Sequence, residues 1–189
     1  MSEKGKNNEI LVFLSRPNPF LEDHEVFLMN LKSKLQQHSI KTITLAADNY
    51  DLKDSITYLK GMIRQCYGIV VVGFKQIFID TGSKKRGGLS RDDFFYPEEI
   101  DISGQSLTSP FCHIEGTIGL VYDLPMLIIN EKGVREEGVI SSGRFSVKCQ
   151  SFDLSDSKSF FENDIVDKQI AVWVGQVTER YLFLNLNKI

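Results

Sequence analysis

Glu115 follows Phe111 by four residues in the run Ser109-Pro110-Phe111-Cys112-His113-Ile114-Glu115-Gly116. Residues four apart are neighbours on a helix surface, so a helix here projects a carboxylate and an aromatic ring to one side. The run begins as a helix does. Ser109 can accept a hydrogen bond from an unpaired backbone N–H, and Pro110 suits the first helical position. Gly116 and Gly119 each weaken such a helix by roughly 1 kcal/mol relative to Ala. What they permit in return is close approach of a sheet or a ligand. This context favours a functional Glu115 over a solvated helical glutamate. Phe111 can line the same site or pack in the core.

Other candidate chemistries fail on spacing. His113-x-Glu115 invites a zinc-deaminase reading, but that signature needs a Pro-Cys-x-x-Cys pair, which the chain lacks. His24, His38 and His113 make no metal-ligand spacing with Cys66, Cys112 and Cys149, and no metal is implied. Neither G-x-x-x-x-G-K-[ST] nor G-x-G-x-x-G occurs. Lys84, Lys85 and Arg86, set between glycines, read as a surface loop rather than a phosphate clamp. Arg16 can hold a phosphate bidentately or make an ordinary loop salt bridge. No Ser/His/Asp or Cys/His nucleophilic set assembles.

Composition bounds the class. The chain of 189 residues suffices for one domain with a substantial core. A formal charge of −3 argues against a general nucleic-acid binder. No apolar run approaches a membrane span, and residues 1–8 are polar, read as a disordered tail rather than a signal peptide. Cysteines that are odd in number and far apart fit free thiols in a reducing cytoplasm.

Apolar runs alternate with amphipathic stretches, the pattern of β-α-β units and a parallel sheet. Strands are expected at 10–14, 40–46, 68–74, 125–130 and 145–152. A helix over 22–38 carries the stripe Phe27, Leu28, Leu31 and Leu35. The next, capped by Asp51, carries Leu52, Ile56, Leu59, Met62, Ile63 and Cys66. A third starts at Ser109 and ends near Asp123, and a C-terminal helix covers 157–184. The alternation stops over 75–108, read as an inserted loop that is functional or mobile. Residues 133–139 form a second loop. These elements make a single α/β domain over 9–189, with a five-stranded parallel sheet ordered 2-1-3-4-5 and helices on both faces.

Ligands of such sheets bind outside the carboxyl ends of the strands, where strand order reverses. Here that point lies between the first and third strands. Ser15 and Arg16 leave one, Gly73 and Phe74 leave the other, and the helix of Glu115 is the crossover that follows.

Over roughly residues 10–130 the chain resembles TIR domains. Val12-Phe13-Leu14-Ser15 looks like their first-strand motif. Leu52-Lys53-Asp54-Ser55-Ile56 resembles the end of the loop that follows their second strand. Ser109-Pro110-Phe111-Cys112-His113-Ile114-Glu115 is similar to their Ser-x-Trp-Cys-x-x-Glu pattern, with Phe in place of Trp, and the 75–108 insertion exceeds their usual connection. The resemblance implies a flavodoxin-like, TIR-like fold and an enzyme that cleaves NAD at the nicotinamide–ribose bond. Glu115 would be catalytic, with Phe111, Ser15, Arg16, Gly73, Phe74 and Ser109 binding substrate. NAD would be substrate rather than cofactor. Self-association and a separate effector protein responding to the product, as in Thoeris-type antiviral systems, are implied in the same way.

The helix of Glu115 also resembles that of nucleoside 2-deoxyribosyltransferases, although Ser109 stands where that family has an assisting aspartate. Neutral nucleosides leave poorly without protonation of the base. The nicotinamide of NAD departs as a neutral molecule, so one carboxylate that stabilises or captures the oxocarbenium-like ribose can suffice. A non-catalytic nucleotide-sensing or interaction module is the remaining alternative.

Overall fold

A computed structural model describes residues 9–45, 55–89, 98–141 and 146–186. The expected tail 1–8, Ala46, the Asp51 cap, Leu52 to Asp54, residues 90–97 and Phe145 lie outside them.

In chain order the elements are β1 (Ile10–Ser15), α1 (Glu22–Gln36), β2 (Ile40–Ile43), α2 (Ser55–Arg64), β3 (Gly68–Gly73), β4 (Ile77–Ile79), β5 (Ser83–Lys84), β6 (Ile100–Asp101), β7 (Gln105–Leu107), α3 (Pro110–Val121), β8 (Met126–Asn130), β9 (Ser146–Lys148), α4 (Ser157–Phe161) and α5 (Asp164–Leu186). Five of these strands form one parallel sheet in the order β2-β1-β3-β8-β9. This is the expected architecture. The apolar, largely β-branched run of β3 is buried along its whole length, as a central parallel strand is.

Side-chain alternation divides the core between the sheet's faces. Val12, Leu14, Val70, Val72, Leu127 and Ile129 meet α1 and α5 on one side, with Trp173 of α5 fully buried there. Phe13, Ile69, Val71, Met126 and Ile128 meet α2 and α3 on the other. Leu59 and Ile63 of α2 are buried as expected, whereas Ile56 of the same stripe is exposed.

Several boundaries differ, among them the ends of β2 at Ile43 and β9 at Lys148, short of the expected 46 and 152. The region 75–108 is not structureless. β4 pairs antiparallel with β7, and β5 with β6, so the insertion leaves and returns as a two-step ladder. It docks on the segment after β8. Arg135 donates its backbone N–H to the Ser106 carbonyl at 2.7 Å, and Lys84 binds Glu137 at 2.9 Å. The C-terminal helix is broken into α4 and α5, because the Asn163 side chain accepts from Ile165 N at 2.8 Å and starts a new helix. The strand expected from Pro125 begins at Met126. The Pro125 carbonyl accepts from Ile69 N and from the Trp173 indole, each at 3.0 Å, anchoring that end of the sheet.

Among the described residues no helix is long and apolar enough to cross a membrane.

Candidate active site

On the face covered by α3, each central strand ends by trading an apolar side chain for a small or polar one. Phe13 is followed on that face by Ser15, Val71 by Gly73 and Ile128 by Asn130. These strands are parallel, and Gly73 pairs with Asn130, so the three substitutions share the carboxyl edge of the sheet. Strand order reverses between β1 and β3 at the same edge.

The helix above them is set close by its sequence. The Ser109 side chain accepts from Phe111 N at 3.2 Å, with Pro110 at the first position. Cys112, Glu115, Gly116 and Gly119 form its buried stripe. A Cβ at Gly119 would stand 3.0 Å from Ile69 Cγ2 of β3. One at Gly116 would stand 2.5 Å from Val139 Cγ1, in a 3-10 turn at Gly138–Ile140. The two glycines therefore allow the sheet on one side and the turn on the other to approach.

This approach buries Glu115, whose residue is 4% exposed. Its Oε2 accepts a hydrogen bond from Ser15 Oγ at 2.5 Å. Burial raises the Glu115 pKa to about 7, against the opposing pull of the Ser15 hydroxyl and the Arg16 guanidinium. The withdrawal from water dominates. Arg16 Nη1 donates to the Pro17 carbonyl at 3.1 Å and reaches Asn18 Oδ1 at 3.4 Å, while its Nε has no hydrogen-bond partner among the described residues.

Cys112 floors the site. Its thiol points to the Val72 carbonyl, 3.8 Å away, and feels Glu115, Ser15, Thr108 and Arg16. Burial, and next the Glu115 carboxyl, push it up to about 12, so it is no thiolate nucleophile.

The expected site residues sort into two groups. Ser15 and Glu115 touch, Arg16 acts on Glu115 through its charge, and Gly73 lies at the same strand edge. Ser109 caps the helix from below. Phe111 is 42% exposed on the first turn, one turn before Glu115. Phe74 is elsewhere, contrary to its expected place in the crevice. It continues the Val70 and Val72 side of β3 and is fully buried against α1, with ring centroids 4.2 Å from His24 and 5.7 Å from Phe27. Lys84, expected in a surface loop, lies in β5 and is engaged by Glu137.

Thr108 and Asn130 were missed. Both side-chain polar atoms of Asn130 are buried without a hydrogen-bond partner among the described residues, and Thr108 Oγ1 meets only the weak Cys112 thiol. A Cβ on Gly73 would lie 2.6 Å from Asn130 Oδ1 and 3.8 Å from Thr108 Cβ. The signal for Asn130 is a polar residue closing the apolar run Met-Leu-Ile-Ile. Thr108 merely precedes the cap and gives none. Glu131, next along, is buried and structural. It accepts from Lys75 N at 2.9 Å and pairs with Lys75 Nζ at 3.2 Å.

Among the described residues no three His, Cys, Asp or Glu side chains gather as a metal-holding group. A cavity of about 750 Å³ lies at the opposite edge of the sheet, bordered by Leu120, Pro125, Ser146 and Arg180.

No protein-family model matches the chain, and comparison with curated proteins and with solved structures returns no match.

Proposed function

We propose that this chain is a TIR-like NAD glycohydrolase or ADP-ribose cyclase in which Glu115 is the catalytic residue. The observation that carries the reading is the buried Glu115 carboxyl, bonded to Ser15 at the strand-order reversal. Among the described residues Arg16 is the one charged group that acts on its titration, and the reading takes Glu115 as the single working carboxyl.

One carboxyl matches a leaving group that already bears charge. The C1′–N bond of NAD breaks with its electron pair moving onto the pyridinium nitrogen, which leaves as neutral nicotinamide. The Glu115 carboxylate stabilises the positive charge appearing on the ribose. Water, or a nucleophilic atom of the same dinucleotide in a cyclisation, then bonds to C1′ and releases its proton. A free-protein pKa of about 7 suits this sequence. The cationic end of the substrate favours the ionised carboxyl when it binds, so the negative charge is strongest where positive charge develops. Arg16 lies at the β1 edge, where a dinucleotide's phosphates would be attracted, and Phe111 offers an aromatic surface one turn away. A diffusible product read by a separate effector, and self-association in the active form, extend the same reading.

A nucleoside N-glycosidase is the second reading. The observation in its favour is again the elevated Glu115 pKa, which leaves a proton available near neutrality for a departing base. Mass spectrometry of NAD incubated with concentrated protein, wild type beside Glu115→Gln, tests the first. Nicotinamide release abolished by the substitution supports it. Base release from a nucleoside, with NAD untouched, transfers the site to the second. Nucleotide binding without turnover, unaltered by Glu115→Gln, makes the chain a sensor.

A further inference from the structure

Resting on the NAD reading, we propose that the Asn130 side-chain amide, with the Thr108 hydroxyl beside it, recognises the carboxamide of the departing pyridine. Both residues are almost wholly buried, Asn130 at 2% and Thr108 at 3% exposure. Neither Asn130 Oδ1 nor Asn130 Nδ2 has a hydrogen-bond partner among the described residues, and Thr108 Oγ1 has only the weak influence of the Cys112 thiol. A buried polar group left unpaired is destabilising, and native proteins keep few of them. Here both lie against Gly73 at the end of β3, which has no side chain to stand between them. The Gly73 backbone presses on the Asn130 amide so closely that a methyl group would lie 2.6 Å from Oδ1.

Charge sets the direction in which the substrate lies. Arg16 follows β1, and Asn130 ends β8, two strands away in the sheet. Adjacent strands are about 4.8 Å apart, so these ends stand on the order of 10 Å apart, with Glu115 reaching the edge between β1 and β3. A guanidinium repels a pyridinium cation and attracts phosphate. With the ribose at Glu115, the phosphates therefore lie toward β1 and the pyridine toward β8. A primary carboxamide carries one acceptor oxygen and a donor N–H₂ group, the complement of the unpaired oxygen and nitrogen of Asn130. Both Asn130 atoms are buried, so binding of the pyridine there requires that the strand end open.

The test is kcat/KM of the full chain for NAD and for its 3-acetylpyridine analogue, in which a methyl group replaces the amide nitrogen. Wild type, Asn130→Ala and Thr108→Val are compared. The analogue leaves Asn130 Oδ1 without a donor, so wild type prefers NAD. Asn130→Ala lowers that preference about tenfold, a typical effect of one unmatched buried hydrogen bond. It also slows turnover of the analogue, whose carbonyl oxygen still accepts from Asn130 Nδ2, but by less than it slows turnover of NAD. Thr108→Val, which keeps the shape, lowers the preference about threefold. An unchanged preference in both variants overturns the assignment while NAD cleavage stands. A wild type that releases no nicotinamide overturns the parent reading and this one with it. Should Asn130→Ala fail to fold, those atoms were structural, and an unchanged preference in Thr108→Val completes the refutation.

Discussion

Ser15 Oγ and Glu115 Oε2 meet at 2.5 Å across 100 residues of chain, tying the end of the first strand to the helix that crosses over the third. A hydroxyl that donates to a carboxylate favours its ionised form, whereas burial favours the proton. Here burial prevails, and the carboxyl titrates near 7.

For the wild-type protein, kcat/KM for NAD is expected to rise with pH through about 7, because the free carboxyl must ionise to act. In kcat the inflection falls lower, since bound cation stabilises the carboxylate. Ser15→Ala removes the donor, so the kcat/KM inflection moves upward, by about one unit if the bond contributes the usual 1–1.5 kcal/mol. The loss is then larger at pH 7 than at pH 9. Profiles of both proteins that coincide after scaling would disconnect the hydroxyl from the titration.

Folding stability carries the same signature with the opposite sign. A carboxyl whose folded pKa exceeds its unfolded value binds its proton more tightly in the native state. The Glu115 contribution is therefore neutral below about 4.5, where both states are protonated, and becomes destabilising as pH rises to about 7. Above that it is constant, at roughly 3 kcal/mol. Glu115→Gln, which cannot ionise, is expected to be more stable than wild type at pH 8 by about 1–3 kcal/mol, the gap closing toward pH 4.5. Urea denaturation at both pH values measures it. A variant less stable than wild type at pH 8 would show that the carboxylate is well solvated after all.

Parallel topology was legible because it is written in long apolar runs. The stretch Gly68-Ile69-Val70-Val71-Val72-Gly73 reads as a central strand, and its partners followed. Glu115 was legible because a cap, a proline and two glycines agree on its surroundings. Phe74 was misassigned, although parity counted from Val70 and Val72 already sends its ring to the α1 face. The insertion was opaque for a different reason. Strands of two or three residues, such as β5 and β4, are too short for alternation to register, and only their cross-chain pairing defines them. The buried polar atoms of Asn130 and Thr108 were invisible in the sequence because an unmatched hydrogen bond is a property of the assembled edge, not of either residue's neighbours in sequence.

The thiols give a reactivity test independent of substrate. Cys66, Cys112 and Cys149 are buried, and burial pushes each up to about 12. Native protein at pH 8 is expected to resist iodoacetamide over an hour, and protein in 6 M guanidinium to take up three equivalents, because thiolate and not thiol is the nucleophile. Rapid native labelling at Cys112, read by peptide mass mapping, would mean that the floor of the site opens far more than the burial of Glu115 allows.

The two helix glycines separate what brings α3 onto the sheet from what seals its other side. Ala at Gly119 meets Ile69, with Cγ2 at 3.0 Å and Cδ1 at 3.1 Å, in the packed core over β3. Ala at Gly116 meets Val139 Cγ1 at 2.5 Å, in a short turn where a half-buried side chain can move. Each substitution gains roughly 1 kcal/mol of helix propensity, set against an overpacking penalty of about 1–3 kcal/mol. Gly119→Ala is therefore expected to lower the melting temperature. It also lifts Glu115 from Ser15: loss of that bond raises the Glu115 pKa, entry of water lowers it, and because burial is the larger influence the kcat/KM inflection moves below 7. Gly116→Ala perturbs the turn alone, and adding Val139→Ala restores its stability, because the clashing methyl groups are then gone. Thermal melts of the three variants beside their pH–rate profiles decide it. A Gly119→Ala protein with an unmoved inflection would mean that the Ser15–Glu115 contact does not depend on how closely α3 approaches β3.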